Sequence, residues 1–307
     1  MTGNQPLVVL WGATATGKTD LAIQLAQRYN GEIIGADSRQ IYRYMDIGTA
    51  KPSQQQQTAA KHHMIDIVDP DYQLSLAEYQ EIAYARIDDI HARGKLPLLV
   101  GGTGQYITAV VEGWSIPRVA PDEALRARLS AEASQQGAEA FHARLAQVDP
   151  EAAANIHPNN VRRVIRALEV YLTTGTPISV LQRKQPPPYR ILMLGLYIPR
   201  EPLYERADLR VDSMIDQGFV DEVQRLLDLG YDRTLPSMSG LGYQELTAHL
   251  LDDMPLEEAI HKTKISTHDF IRRQEVWFRG HDHGTIWHNT LELNHSTIWQ
   301  HIDHWLN

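Results

Sequence analysis

The stretch VVLWGATATGKTDLAIQLA, residues 8–26, decides how the rest of the chain is read. "PLVVLW" (6–11) is a short apolar run that ends in a Gly-rich turn, the pattern of a buried parallel strand. Gly12 opens G-x-x-x-x-G-K-T, and residues 18–29 then place Leu21, Ala22, Leu25, Ala26 and Tyr29 on one helical face. Strand, loop and helix in that order are what a phosphate-binding loop requires. Backbone N–H groups of the loop and the first helical turn create an anion site. Lys18 adds a positive charge, and the Thr19 hydroxyl can hold Mg²⁺.

Outward from the loop the pattern repeats. "EIIGAD" (32–37) reads as a second strand with an acid at its carboxyl end, residues 75–93 as a helix, and "KLPLLVGGTGQYI" as a strand with another Gly-rich turn. The alternation predicts an α/β core, a P-loop parallel sheet with helices on both faces. Between about 121 and 185 the segments are helical without strands, and "QPPPYR" closes that block as a stiff linker. This predicts a core of residues 1–120 and 186–307 with an inserted all-helical subdomain, 121–185. Strand character returns at 190–198, followed by helices at about 201–229, 240–251 and 255–279. Gln54 to Gln57 read as a solvated loop.

Composition narrows the function classes. With 307 residues, 43% of them hydrophobic and 22% charged, the chain has ample material for a core. No apolar run approaches a membrane span, and no signal opening is evident, so a cytoplasmic protein with no membrane partner is expected. The absence of cysteine excludes disulfides and thiolate chemistry. A net charge of −9 argues against a polyanion partner, but the charge is uneven. Residues 162–190 carry six bases against the single acid Glu169, and 262–280 carry five against two. Local sign decides whether a polyanion docks.

The strand "LPLLVGG" ends in Gly101 and Gly102, not in the acid that ATPases and GTPases use to organise Mg²⁺ and water. The acid is Asp37, on the second strand, followed by Ser38. Two readings stand equally: a general base toward a second substrate, or a turn cap.

Six segments, "GATATGKT", "GADSRQIYRYMDIGTAKP", "HHMIDIVDP", "LVGGTGQYI", "IHPNNVRRVIRALEVY" and "LGYQEL", stand in an order and spacing that resembles the bacterial tRNA dimethylallyltransferases, also called tRNA isopentenyltransferases. The resemblance runs from about residue 6 to about 280, and "DSRQIYRYMDIGTAKP" is its most specific part. It implies transfer of a dimethylallyl group from dimethylallyl diphosphate to N6 of the adenosine 3′-adjacent to the anticodon in tRNA, with diphosphate released. The loop would then grip an isoprenoid diphosphate instead of ATP.

On that resemblance, Gly12, Thr14, Ala15, Thr16, Gly17, Lys18 and Thr19 cradle the diphosphate, and Mg²⁺ sits on Thr19. Asp37 takes the proton from the amino group, and Arg210 reaches the diphosphate, with Arg206 one turn away. Ser38, Arg39, Gln40 and Thr103 face the extruded base. In "NNVRRVIRALEVY", a stripe of Val161, Val164, Ile165, Leu168 and Leu172 leaves Arg162, Arg163 and Arg166 for the anticodon stem-loop. Arg126 and Arg128 are further candidates for it, and Gly242 and Tyr243 match another tRNA-contact segment, although Tyr243 also suits packing. The protein is expected to act as a monomer.

Three positions depart from the family pattern: His268 for an arginine, Ile271 for a small residue, and Gln105 for an apolar one near the donor pocket. Rival readings remain: a kinase with the same loop and Asp37 as base, a transferase acting on free adenine nucleotides, and a nucleotide-gated RNA-binding module. The basic helical insertion weighs against the first two, and Asp37 against the third.

Overall fold

The structure, a computed structural model, describes residues 5–119 and 121–307. Six strands, β1 (Gln5–Gly12), β2 (Gly31–Ala36), β3 (His62–His63), β4 (Leu96–Gly101), β5 (Tyr189–Tyr197) and β6 (Ile286–Asn289), form one sheet. Its order is β3-β2-β4-β1-β5-β6, and every neighbouring pair is parallel. The loop-bearing strand β1 therefore lies at the centre, with Val9 level with Leu99 on one side and Met193 on the other.

Alternation along β1 builds two cores. Val8 and Leu10 point to one face, against Leu21 and Leu25 of α1 (Lys18–Arg28), while Leu7, Val9 and Trp11 point to the other. That second face is covered by Ala83 and Ile87, among the helical residues that follow α2 (Gln54–Ala59) in α3 (Leu76–Ala92), and by Ile107 and Val110 of α4 (Gly104–Glu112). Each such aliphatic side chain, when fully buried, contributes about 1.5–3 kcal/mol. β1 is buried on both faces, which is why its apolar run is unbroken.

The chain divides into two compact units, one running to Val111 and resuming at Pro188, the other Glu112–Pro187. The break falls before the expected residue 121 because Trp114 bridges to Lys184 and Ser115 N donates to Arg183 O, tying the approach segment to the insertion's own end. Within the second unit, α5 (Glu123–Gln136), α6 (Ala138–Val148), α7 (Pro150–Asn155), α8 (Val161–Thr174) and α9 (Ile178–Leu181) enclose Leu129, Phe141, Leu145, Val164 and Leu168.

The first unit continues with α10 (Arg200–Asp216), α11 (Phe219–Asp228), α12 (Tyr243–Leu251), α13 (Leu256–Gly280) and α14 (His295–Leu306). The single helix expected over 201–229 is two, because Gly218 takes φ +95° and turns the chain between α10 and α11. The expected loop at Gln54 is the helix α2, started by a reciprocal Ser53–Gln56 capping box. Strands β3 and β6 and helices α4, α7, α9 and α14 have no counterpart in the sequence reading. Ile298 and Ile302 bury α14 against the α1 side of the sheet, four residues apart as an amphipathic helix demands. Among the described residues no helix is long and apolar enough to cross a membrane.

Candidate functional site

The carboxyl ends of β1 and β2 open into a cavity of about 590 Å³ whose lining includes Thr14, Lys18, Thr19, Asp37, Gln40 and Arg210. Ligand sites of open parallel sheets lie at this end. The phosphate loop is braced from within: Thr16 Oγ1 and Lys18 Nζ both donate to Ala13 O, at 2.8 and 2.7 Å. Gly17 starts α1 at φ +88° and, having no side chain, leaves the first-turn N–H groups uncapped and open to an anion.

Three cations converge here. Burial first and then the neighbouring Arg210 bring the Lys18 ammonium down from 10.5 to about 7, against the opposing pull of Asp37. Burial also lowers the Arg210 guanidinium, with Asp37 opposing and Arg206 adding to the fall. Lys18, Arg206 and Arg210 all line the cavity. Buried positive groups set beside one another suit a multivalent anion, whose arrival would raise both pKa values again.

Asp37 is the turn cap of one reading, and its place in the cavity is compatible with the other. Its Oδ1 accepts Arg39 N at 2.8 Å and Gln40 N at 3.3 Å, so it is a turn cap, yet it also lines the cavity with Lys18 and Arg210. The cap holds the carboxylate in one orientation. Ser38 N donates to Thr103 Oγ1 at 2.9 Å, and Thr103 Oγ1 to Ser38 Oγ at 3.3 Å, joining the ends of β2 and β4. Arg39 reaches away to Pro236 O (2.7 Å) and Ser237 O (3.2 Å). Gln40 Nε2 donates to Thr49 O and Ala50 O, each at 3.2 Å.

Several expected contact residues have other work. Tyr243 is 1% exposed and donates its hydroxyl to Glu222 at 2.6 Å, and Gly242 is buried with it, so neither offers a surface to RNA. Arg126 and Arg166, each about a third exposed, turn their guanidiniums to a buried acid. Arg126 Nε lies 2.8 Å and Arg166 Nη1 2.6 Å from the carboxylate of Glu169, which is 0% exposed. Burial alone would raise the Glu169 pKa, but the two guanidiniums and the Asp122 amide carry it below its ordinary value. Leu172, placed in the buried stripe, is 44% exposed, and Glu169 takes the inward position instead. Arg162 and Arg163 are exposed, as their part of the helix pattern predicts, and so is Arg128.

The departures acquire reasons. Ile271 is buried beneath the phosphate loop against Ala13 and Ala15. His268 stacks on Tyr204, ring centroids 4.0 Å apart, and pairs with Asp208 at 2.8 Å. Gln105 is exposed and does not line the cavity. The sequence reading missed Gln274, whose amide accepts Thr14 N at 2.9 Å and donates to Gly102 O at 2.8 Å, clamping the phosphate loop to the end of β4. Its signal was a polar residue in step with Ile271 and Phe278 on the buried face of α13.

Among the described residues no group of three or more His, Asp or Glu could hold a metal ion. Thr19, in the cavity beside Lys18 and Asp37, fits a divalent ion that takes its other oxygens from a diphosphate and water, the habit of Mg²⁺.

Known proteins resemble this chain in sequence and fold. The family model described as IPP transferase matches residues 40–281, and one described as isopentenyl transferase matches residues 5–69. A tRNA dimethylallyltransferase of a Roseiflexus species is 57% identical over 274 residues, 89% of this chain and 90% of that one. Another, from Chloroflexus aggregans, is 57% identical over 92% of this chain and 95% of its own. The crystal structure of the full-length tRNA isopentenylpyrophosphate transferase from Bacillus halodurans covers 98% of this chain and 97% of its own, at 40% identity and a TM-score of 0.73. A eukaryotic dimethylallyltransferase seen acting on tRNA covers 89% of this chain and 70% of its own, at 30% identity and a TM-score of 0.75.

Proposed function

The chain belongs to the IPP transferase family, and from that premise we propose that it transfers a dimethylallyl group from dimethylallyl diphosphate to N6 of the adenosine 3′-adjacent to the anticodon in tRNA. The observation that carries the reading is the juxtaposition, in one cavity, of the acid Asp37 with the cations Lys18 and Arg210. A carboxylate that can take a proton faces groups that can take a leaving anion.

The reaction follows from that layout. The adenosine amino nitrogen forms a bond to C1 of the allylic donor as the C1–O bond breaks, and the bonding pair leaves with the diphosphate. Positive charge develops on the allyl group and negative charge on the leaving oxygen. Lys18, Arg210 and the N–H groups of residues 15–19 stabilise the latter, in a place already arranged for it. Mg²⁺ bound through the Thr19 hydroxyl and the diphosphate oxygens would neutralise further leaving-group charge. The amino proton passes to Asp37, whose orientation is fixed by the amides of Arg39 and Gln40. Gly101 and Gly102 stand where a hydrolase would organise water, and no attacking water is wanted here.

The acceptor adenosine must leave its stack to reach this cavity. Gln40 meets it there, and Ser38, Arg39 and Thr103 stand next to the lining residues Asp37, Gln40 and Gly102. Arg162 and Arg163 contact tRNA phosphates, and the protein works as a monomer in the cytoplasm. Digestion of the product tRNA to nucleosides, with the modified position mapped, tests the assignment. Prenylated adenosine next to the anticodon supports it, and prenylation elsewhere or nowhere removes it.

A further inference from the structure

Behind the cavity, α11 buries an acid that neither the sequence pattern nor the reaction accounts for. Glu222 is 1% exposed, and no Lys, Arg or His pairs with it among the described residues. Its Oε2 accepts Asp46 N at 2.9 Å and Ile47 N at 2.8 Å. Its Oε1 accepts Gly48 N at 3.1 Å and the Tyr243 hydroxyl at 2.6 Å. Four donors converge on two oxygens. Only a carboxylate accepts at both ends, since an amide would turn N–H groups toward one pair of donors. The packing around it is equally specific. A Cβ on Gly48 would stand 2.2 Å from the Phe219 ring and 2.6 Å from that of Tyr243, and one on Gly242 would stand 2.4 Å from Phe219.

The loop held in this way continues into the site. Asp46, Ile47, Thr49 and Ala50 line the cavity, and the carbonyls of Thr49 and Ala50 accept both hydrogen bonds given by Gln40 Nε2. The backbone of Gln40 is meanwhile tied to Asp37. With its N–H groups committed to the loop, the Gln40 amide is left with its carbonyl as the group able to receive an exocyclic amino group. That arrangement favours adenine over guanine, because guanine presents a carbonyl at the corresponding position.

We propose that Glu222 is a positioning residue for the acceptor base: it fixes residues 46–48, and through them the carbonyls that orient Gln40. The inference rests on the acceptor-side reading of Gln40 given above. It also gives the "LGYQEL" segment a role in place of RNA contact, since Tyr243 is the fourth donor to Glu222.

Glu222→Gln keeps the size and loses the second acceptor, and Glu222→Asp keeps an acceptor-only group on a shorter stem. The expected result for Glu222→Gln is faster hydrogen exchange at the amides of residues 46–48. Its kcat/KM for tRNA should fall roughly tenfold, with KM for dimethylallyl diphosphate held within about twofold. Glu222→Asp should recover part of the loss. In a Gln40→Ala background Glu222→Gln should cost nothing further, because the two act in one chain. Should Glu222→Gln fail to fold, Tyr243→Phe, which removes one donor and leaves three, should show the same selective fall at smaller size. Unchanged exchange at 46–48, an equal loss on the donor side, or full additivity with Gln40→Ala would overturn the inference. If the unmodified protein transfers nothing to tRNA, the proposed function fails, and the exchange experiment still decides whether Glu222 holds the loop.

Discussion

At the scale of the residue, Lys18 shows how a binding site is kept at the expense of the fold. The side chain is charged in the unfolded chain up to pH 10.5, but in the folded protein only up to about 7. Between those values the unfolded state binds more protons, so this residue's destabilisation is full below pH 7 and fades as the pH rises toward 10.5. Lys18→Met, melted in EDTA without ligand, should therefore have a higher Tm than the unmodified protein. The gap should be widest near pH 6–7 and narrow by pH 9–10. The same variant should lose diphosphate binding. A lower Tm at every pH would mean that the ammonium is not desolvated as described. Asp37 makes the complementary point: the choice between cap and base, undecidable from "ADSRQ", dissolves when one oxygen caps the turn while the residue still lines the cavity.

At the scale of the element, α13 is the strut of the site. Ile271 fills the space under Ala13 and Ala15, Gln274 ties Thr14 to Gly102, and Phe278 packs on Trp11 at 4.8 Å between ring centroids. Gln274→Ala would orphan the Thr14 amide and the Gly102 carbonyl, a loss of about 2 kcal/mol. The expected outcome is a raised KM for dimethylallyl diphosphate with little change in KM for tRNA, measured by steady-state kinetics with each substrate varied in turn. Equal effects on both would show that α13 supports the whole cavity without favouring the phosphate loop. Elements of this kind also mark what a sequence reveals. β1, its loop and α1 were legible because the pattern demands all three together. α2 was missed because a run of glutamines reads as solvated until Ser53 is recognised as its cap. Gln274, Glu222 and Glu169 were missed for one reason: a polar residue on a helix looks like surface until the donors that satisfy it are known, and those lie far away along the chain. Arg126 and Arg166, read as bases for tRNA, are by the same token also the partners of a buried acid, which the sequence did not reveal.

At the scale of the whole molecule, the chain builds two units, each with its own core. The first carries the sheet and the cavity; the second, Glu112–Pro187, has its own closed core and a buried Glu169 ion cluster. Within the second unit, Arg162 and Arg163 are the exposed bases on α8. If they meet tRNA phosphates, Arg163→Ala should weaken binding of unrelated tRNAs alike and reduce the slope of log affinity against log salt by about one. No change in slope would remove α8 from the RNA-binding surface. Arg166→Ala should act differently, lowering the melting temperature by uncovering Glu169, since removing one partner of a buried pair is strongly destabilising. The central claim, an allyl transfer from a diphosphate gripped by the phosphate loop to a tRNA adenosine with Asp37 as base, is tested most directly by one assay. Labelled dimethylallyl diphosphate with Mg²⁺ is offered to unmodified tRNA and, separately, to AMP, with Asp37→Ala alongside. The account predicts label in tRNA, none in AMP, and a fall of about 10²–10⁴-fold in rate for the variant; label confined to AMP, or transfer to tRNA undiminished by Asp37→Ala, would contradict it.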